Sequence, residues 1–255
     1  MIICLRPQPD CDADVEELTR RAVQSVALPM LQVSYLSGPP VLFSRADQPG
    51  CYQGIIITSK HASRYLVEQA DAYSELRCLP AWCVGSGSAN ILRQAGFAIA
   101  YAGNGNAADL ADQVCRRGGA GQFLWLSGRD VHLDMTARLK SQGVTVKRQV
   151  VYHANGLLTP YQVVQDHLLS EQQAAVIVFS ARTLEQFQLW LAEYVPIAKP
   201  VQLTVLAASA GLAEQARAVG YQAFEADSPD RQAVLQLSVD WFHQKFLKKS
   251  SQKLT

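Results

Sequence analysis

The sequence contains no Cys-X-X-Cys pair, and its six cysteines (Cys4, Cys11, Cys51, Cys78, Cys83 and Cys115) do not gather around its five histidines. That scatter argues against a zinc site or a redox dithiol and leaves buried free thiols as the expectation. No apolar run reaches the roughly 20 residues that a membrane-crossing helix requires. The opening stretch MIICLRPQPD lacks the basic-then-apolar pattern of a secretory leader, so a cytoplasmic location is expected. Neither sign of charge dominates. There are 23 Lys and Arg against 22 Asp and Glu, a net charge of +1, which removes any bulk electrostatic case for nucleic acid or membrane as a partner. The local crowding of Lys245, Lys248, Lys249 and Lys253 reads as a solvated tail.

What is present is apolar and periodic. The chain has 255 residues, 49% of them hydrophobic, enough for one or two domains with substantial cores. Short apolar runs alternate with helical patterns. IICL is followed by Val15, Leu18, Ala22 and Val26 at helical spacing, with Asp12 as a candidate cap. GIIIT leads to Ala62, Tyr65 and Leu66, and AWCV leads to SANILRQAG, closed by Gly96. FAIAYA precedes Leu110, Ala111, Val114 and Cys115. QFLWL precedes Leu133 and Ala137, with a stop at Gly143. VKRQVVYH is extended. AAVIVF, LTVLAA and YQAFEA each precede a helical pattern, the second closed by Gly220 and the last carrying Val234, Leu237 and Trp241. Runs that are apolar without alternation suit parallel strands covered on both faces, so the expected class is α/β.

An internal repeat sharpens this. GIIITSKHASRYLVEQA parallels AVIVFSARTLEQFQLWL, each a strand ending in serine (Ser59, Ser180) and then a helix. WCVGSGSANILRQAGFAIAYA parallels TVLAASAGLAEQARAVGYQAFEA in the same order of strand, small-residue loop, helix, glycine and strand. The first copy continues into a further strand–helix–strand near 122–151. The second copy runs into the C-terminal segment, and residues 1–35 supply its counterpart, with Arg6 and Arg129 near the two strand ends. The expectation is two similar flavodoxin-like or Rossmann-like domains with parallel five-stranded sheets, one continuous at 38–148 and one discontinuous at 1–34 plus 157–255. A two-stranded connector at 34–38 and 149–156 joins them. Two crossings imply a hinge and a cleft, a common ligand site.

The loops at strand ends carry the candidate chemistry. GSGSAN falls short of the dinucleotide fingerprint, because Asn90 replaces the third glycine and FAIAYA ends without an acid. Its corner keeps the backbone N–H groups of a helix start, which favour an anion. The same kind of corner recurs at Thr58–Ser59, Ser86–Gly87–Ser88, Ser127–Gly128–Arg129, Ser180 and Ala208–Ser209. Singly these are ordinary helix caps. Repeated in both halves they suggest a polycarboxylate ligand. Tyr152 lies in the crossing segment, where a neutral phenol could either fill a junction or donate a hydrogen bond to a departing hydroxyl. His153 reads as surface or packing, and Asp109 with Asp112 as a solvated helix face.

Taken in order, Arg6–Pro7, ALP at 27–29, ITS at 57–59, VGSGSA at 84–89 before LRQAGF, LSGRD at 126–130, VVY at 150–152, VFS at 178–180 and AEQARAVGY at 213–221 resemble the uroporphyrinogen-III synthase family across nearly the whole chain. The resemblance implies a two-lobed enzyme, a hydro-lyase that cyclises the linear tetrapyrrole hydroxymethylbilane to uroporphyrinogen III with inversion of ring D and loss of water, in heme biosynthesis. It implies no metal and no organic cofactor, and a monomer; the absence of a nucleic-acid or membrane partner is expected from the near-zero net charge. Tyr152 matches the family's connector tyrosine, thought to assist departure of the hydroxyl. Ser88 matches a Ser/Thr position, and Thr58, Ser59 and Ser180 match strand-end residues facing the substrate. Arg6, Ser86, Gly87, Gly128, Arg129 and Ser209 complete the expected substrate-binding set. The chain departs from the family where Leu212 stands for a threonine, Gly211 for a frequent basic residue and Ala154 for a threonine. The alternative expectation is a two-lobed binder or sensor of a small anionic ligand, and a nicotinamide oxidoreductase is weaker still.

Overall fold

The computed structural model describes residues 1–36, 52–70, 74–119, 121–131, 133–170, 173–195 and 203–246. Connector residues 37 and 38, Cys51, and the lysines beyond 246 lie outside the described residues. The chain divides into two compact units, Met1–Gln32 with Asn155–Thr255, and Val33–Ala154.

The discontinuous unit contains β1 (Ile2–Cys4), α1 (Asp10–Arg20), β2 (Ser25–Ala27) and the start of β3 (Leu31–Tyr35). The continuous unit holds most of β3, then β4 (Tyr52–Ile57), α2 (Lys60–Ala70), a 3-10 turn at Ser74–Cys78, β5 (Ala81–Cys83), α3 (Ser86–Gln94) and β6 (Ile99–Ala102). It closes with α4 (Ala107–Arg117), β7 (Gln122–Gly128), α5 (Met135–Lys140) and most of β8 (Thr145–Gly156). The first unit then resumes with α6 (Gln162–Leu169), β9 (Ala174–Val178), α7 (Ala181–Tyr194), β10 (Leu203–Ala207), α8 (Ala210–Ala218), β11 (Gln222–Glu225) and α9 (Arg231–Phe246).

One sheet runs β11-β10-β9-β1-β2 with every pair parallel. The other runs β3-β8-β7-β4-β5-β6, parallel from β8 to β6. At its edge β3 lies antiparallel to β8, since the Leu36 N–H donates to Val151 O and the Leu157 N–H to Met30 O, bonds that converge as one strand rises and the other falls. Aligned on β9 and β4, the five parallel strands of each sheet follow one spatial order. The chain is merely cut at a different place: β1 corresponds to β7, and β2 to β8.

The apolar runs form strands because both faces are covered. In the discontinuous unit Ile3, Val176 and Val205 meet Leu184, Phe187 and Ala213 on one face, while Ile2, Cys4, Ala175 and Ile177 meet Leu18, Val234 and Leu235 on the other. The continuous unit repeats the arrangement: Ile55, Ile57 and Leu124 pack on α2 and α3, and Ile56, Trp82, Phe123 and Trp125 pack on α4 and α5. This is period-two alternation inside a doubly wound sheet.

Three local expectations need correction. Asp12 does not cap α1, which starts earlier, after Pro9. Asp12 instead exchanges hydrogen bonds with Gln8, whose Nε2 donates to Asp12 Oδ1 at 2.8 Å. Leu133 precedes α5, and Asp134 caps it by accepting from the Thr136 and Ala137 N–H groups. Ser86–Ser88 is not a loop but the first turn of α3, with Gly85 as N-cap.

The expected stops at Gly96 and Gly220 are Schellman turns with φ of 85° and 94°. In each, the next residue donates five back, Phe97 to Leu92 O and Tyr221 to Ala216 O. The end of α1 has the same geometry, with Val23 donating to Leu18 O, but its left-handed residue is Ala22 at φ 57°. An L side chain there costs about 1–2 kcal/mol. Ala22→Gly is therefore expected to stabilise the fold by about 0.5–1 kcal/mol, and Gly220→Ala to destabilise it by about 1 kcal/mol. Urea unfolding midpoints moving in opposite directions are the check.

Candidate functional site

Parallel pairing puts the carboxyl ends of the strands, and the amino ends of the helices that follow, along one rim of each sheet. In the continuous unit β4 lies between β7 and β5, with Ile57 paired to both Leu126 and Cys83. The next residues of each strand are thus neighbours: Thr58 and Ser59, Ser127 to Arg129, and Gly85 at the start of α3. Tyr152 joins them from β8, paired with Gly128.

Each of these residues has a defined partner. Trp125 Nε1 donates to Thr58 Oγ1 at 3.1 Å, and the His61 N–H donates to Ser59 Oγ at 3.1 Å. The hydroxyl end of the Tyr152 ring lies against Gly128: a Cβ there would sit 2.7 Å from the ring carbon bearing the hydroxyl. Here glycine is required by close approach. The His61 and Tyr152 rings stand 5.4 Å apart. Burial pushes the Tyr152 phenol above its ordinary value of 10.0, the Ser59 hydroxyl that hydrogen-bonds it pulls the other way, and the charge of Asp130 adds to the rise. The phenol is therefore neutral and a donor throughout the physiological range.

The helix starts differ in a useful way. In α4 and α5 the side chains of Asn106 and Asp134 cap the free N–H groups, but α3 has no side-chain cap. The first backbone bond of α3 is Ala89 N–H to Gly85 O, which leaves the N–H groups of Ser86, Gly87 and Ser88 pointing outward. The Lys60 side chain lies across this turn, since a Cβ on Gly87 would meet its Cε at 2.5 Å. Ser88 itself is buried, at 4% exposed, and its carbonyl accepts from the Ser63 hydroxyl at 3.1 Å. Arg129 is exposed, and among the described residues its side chain makes no hydrogen bond or ion pair.

The rim of the discontinuous unit gathers Arg6, Ser180 and Ser209. The strand registers place Arg6 where Ser127 stands in the other sheet, with Arg129 two positions further on. Ser209 caps α8 in backbone position only and makes no side-chain cap bond, so α8 repeats the bare start of α3 with nearly the same N-cap angles (φ −156°, ψ 159° against φ −156°, ψ 164°). Leu212 packs inward against both faces of the core, so at α8 only backbone N–H groups remain. The Ser180 hydroxyl is engaged, accepting from the Thr183 N–H at 3.2 Å and bonding the Thr183 hydroxyl at 2.8 Å. Arg6 is engaged as well. Its guanidinium lies 4.7 Å from the Phe179 ring centroid, pairs with Asp10, and donates to Asp14 at 3.1 Å. Asp14 is fully buried and also accepts from Arg231 at 2.5 Å. The charge expected to be available at Arg6 is neutralised within the fold.

Sequence reasoning did not single out His61, Lys60, Trp125, Arg148 or Asp14. The detectable signals were Asp14 on the apolar stripe of α1, and Arg148 inside the buried-type run VKRQVVY. His153 is half-buried. Asp109 accepts from Tyr101 and Asp112 pairs with Arg138 at 2.8 Å, so they form no acid–base dyad. Burial pushes the Cys11 and Cys83 thiols up to about 12, which leaves them as inert core groups. Among the described residues no cluster of His, Cys, Asp and Glu could hold a metal ion, and no helix is long and apolar enough to cross a membrane.

Twin doubly wound sheets of one strand order, with the continuous unit inserted in the chain of the other, define a two-domain α/β protein whose rims present backbone donors. The chain belongs to the uroporphyrinogen-III synthase family: the family model described as uroporphyrinogen-III synthase HemD matches residues 12–236. Among solved structures, uroporphyrinogen-III synthetase from Helicobacter pylori is similar at 17% identity, with a TM-score of 0.64 over 94% of this chain and 98% of that one. A mutant uroporphyrinogen III synthase from the extremely thermophilic bacterium Thermus thermophilus is similar at 15% identity, with a TM-score of 0.54 over 96% and 99%. At these identities the likeness establishes the fold. No match is found among the curated proteins.

Two measurements check this geometry. Asp14→Ala leaves Arg6 with Asp10 alone and takes the carboxylate from half-buried Arg231, and is expected to cost about 1–3 kcal/mol of stability, read from denaturant unfolding. In an alkaline ultraviolet titration, the difference between wild type and Tyr152→Phe should correspond to one phenol titrating above 10.

Proposed function

We propose that this chain is a uroporphyrinogen-III synthase, a hydro-lyase that cyclises hydroxymethylbilane to uroporphyrinogen III with inversion of ring D, acting in the cytoplasm as a monomer. The observation that carries the reading is the placement of Tyr152 on a family match covering 12–236: a neutral phenol held against Gly128 and hydrogen-bonded by Ser59.

The chemistry follows from what the residues can do. The substrate's terminal hydroxyl must leave as water. Tyr152 donates a hydrogen bond to it, and the rate benefit of a positioned donor of this kind is about 10²-fold or more. The carbon left behind is a cation conjugated with its pyrrole. The substituted carbon of ring D attacks it, giving a spiro intermediate that rearranges to the inverted ring. Without enzyme, the same flexible chain closes with no inversion. Holding one curled shape is therefore the larger task, and orientation can supply up to roughly 7–11 kcal/mol.

Acetate and propionate arms suit rims built from backbone N–H groups. The uncapped starts of α3 (Ser86, Gly87, Ser88) and α8 (Ala210, Gly211, Leu212) would accept carboxylates, each with the positive end of a helix dipole behind it. The hydroxyls of Thr58 and Ser209 and the side chains of Lys60 and Arg129 add donors, while Ser59 orients Tyr152. Arg6 contributes by fixing the rim's shape.

Freshly prepared hydroxymethylbilane, incubated with the protein and resolved into isomers, tests the proposal. Isomer III should predominate, and Tyr152→Phe should slow its formation by about 10²-fold with an unchanged circular dichroism spectrum. Product consisting of isomer I alone, formed at the spontaneous rate, would overturn it.

A further inference from the structure

The pairing of β7 with β8 is not regular. Ser127 pairs with Val150 and Gly128 pairs with Tyr152, so Val151 is an extra residue on β8. Such a bulge inverts the alternation beyond it. Before the bulge, Val146 packs with the α4 and α5 face, and the Arg148 guanidinium lies 5.0 Å from the Trp125 ring centroid on that same face. Tyr152, an even number of residues further along, would follow them in a flat strand. Instead Val151 and Tyr152 both meet the α2 and α3 face, where Ser59 and His61 stand.

The opposite strand must absorb this irregularity. Arg148 Nε donates to Ser127 Oγ at 2.9 Å, and one terminal nitrogen donates to Gly128 O at 2.9 Å and to Arg129 O at 2.8 Å. The Ser127 hydroxyl in turn donates to Gly128 O at 3.0 Å. These carbonyls flank the bulge, and the Arg129 N–H returns to Tyr152 O at 2.9 Å. A planar guanidinium spans all three acceptors. An ammonium carries three donors but lacks this rigid planar fork, so it holds the three acceptors less firmly.

We propose that Arg148 is a positioning residue for Tyr152: from the opposite face of the sheet it holds Ser127, Gly128 and Arg129 in the bulged register that aims the phenol at Ser59. Its part in catalysis rests on the function proposed above. Its part in aiming the ring does not.

The test compares Arg148→Met, Arg148→Lys, Tyr152→Phe and the double variant Arg148→Met/Tyr152→Phe. The ultraviolet phenolate titration of Tyr152 is read by difference, alongside kcat and KM for isomer III. In Arg148→Met the Tyr152 phenol should titrate closer to its ordinary value of about 10. Its kcat should fall about tenfold or more while KM changes little, and the double variant should be no slower than Tyr152→Phe. Arg148→Lys should show the same changes, smaller in size, and decides the matter on both readouts if Arg148→Met does not fold. A folded Arg148 variant with the wild-type Tyr152 titration and full kcat, or losses that add in the double variant, would overturn the assignment. If wild-type protein forms no isomer III, the functional reading fails and the titration alone judges Arg148.

Discussion

Because the strands of each unit run parallel, β3 apart, their carboxyl ends and the first turns of the following helices meet along a single edge. Those first turns carry N–H groups with no partner inside the helix. The edge therefore presents backbone donors, joined in the continuous unit by Lys60 and Arg129, in a chain whose net charge is only +1. The arginines nearest the edge are largely committed elsewhere. Arg6 is held by two aspartates, and Arg148 is spent on backbone carbonyls.

The β7–β8 bulge converts this general rim into a particular site. It brings one phenol to the face carrying Ser59, and it demands glycine at position 128 because the ring occupies the space of a side chain. Burial then keeps that phenol protonated. Register and packing at Tyr152 thus both trace to one extra residue in one strand.

Much of the fold was legible in the sequence because its signals are local. Runs such as AAVIV must be strands covered on both faces, and Gly96 and Gly220 end helices by a conformation that glycine adopts at little cost. The repeat was legible because each copy satisfies the same local rules in the same order. Helix α6 was missed, since QVVQDHLL is short and buries only Val164 and Leu168 among its apolar residues. The candidate site was legible as a set of positions, but not as a set of roles. No local pattern reveals that Asp14 meets Arg231 across 217 residues and so commits Arg6, or that Val151 is skipped in the pairing. Ser86 and Ser88 read as loop residues because serine favours helix starts. The structure starts the helix two residues before SANILRQAG, at Ser86 with Gly85 as N-cap, and buries Ser88.

The two sheets share a strand order but not a starting point, and that has a consequence for biosynthesis. The continuous unit has all its strands once residue 154 has left the ribosome. The unit that begins the chain does not. Its strand β1 sits between β2 and β9, and β9 is translated about 170 residues after β1. Strand β1 therefore has only β2 to pair with until that later stretch has been translated.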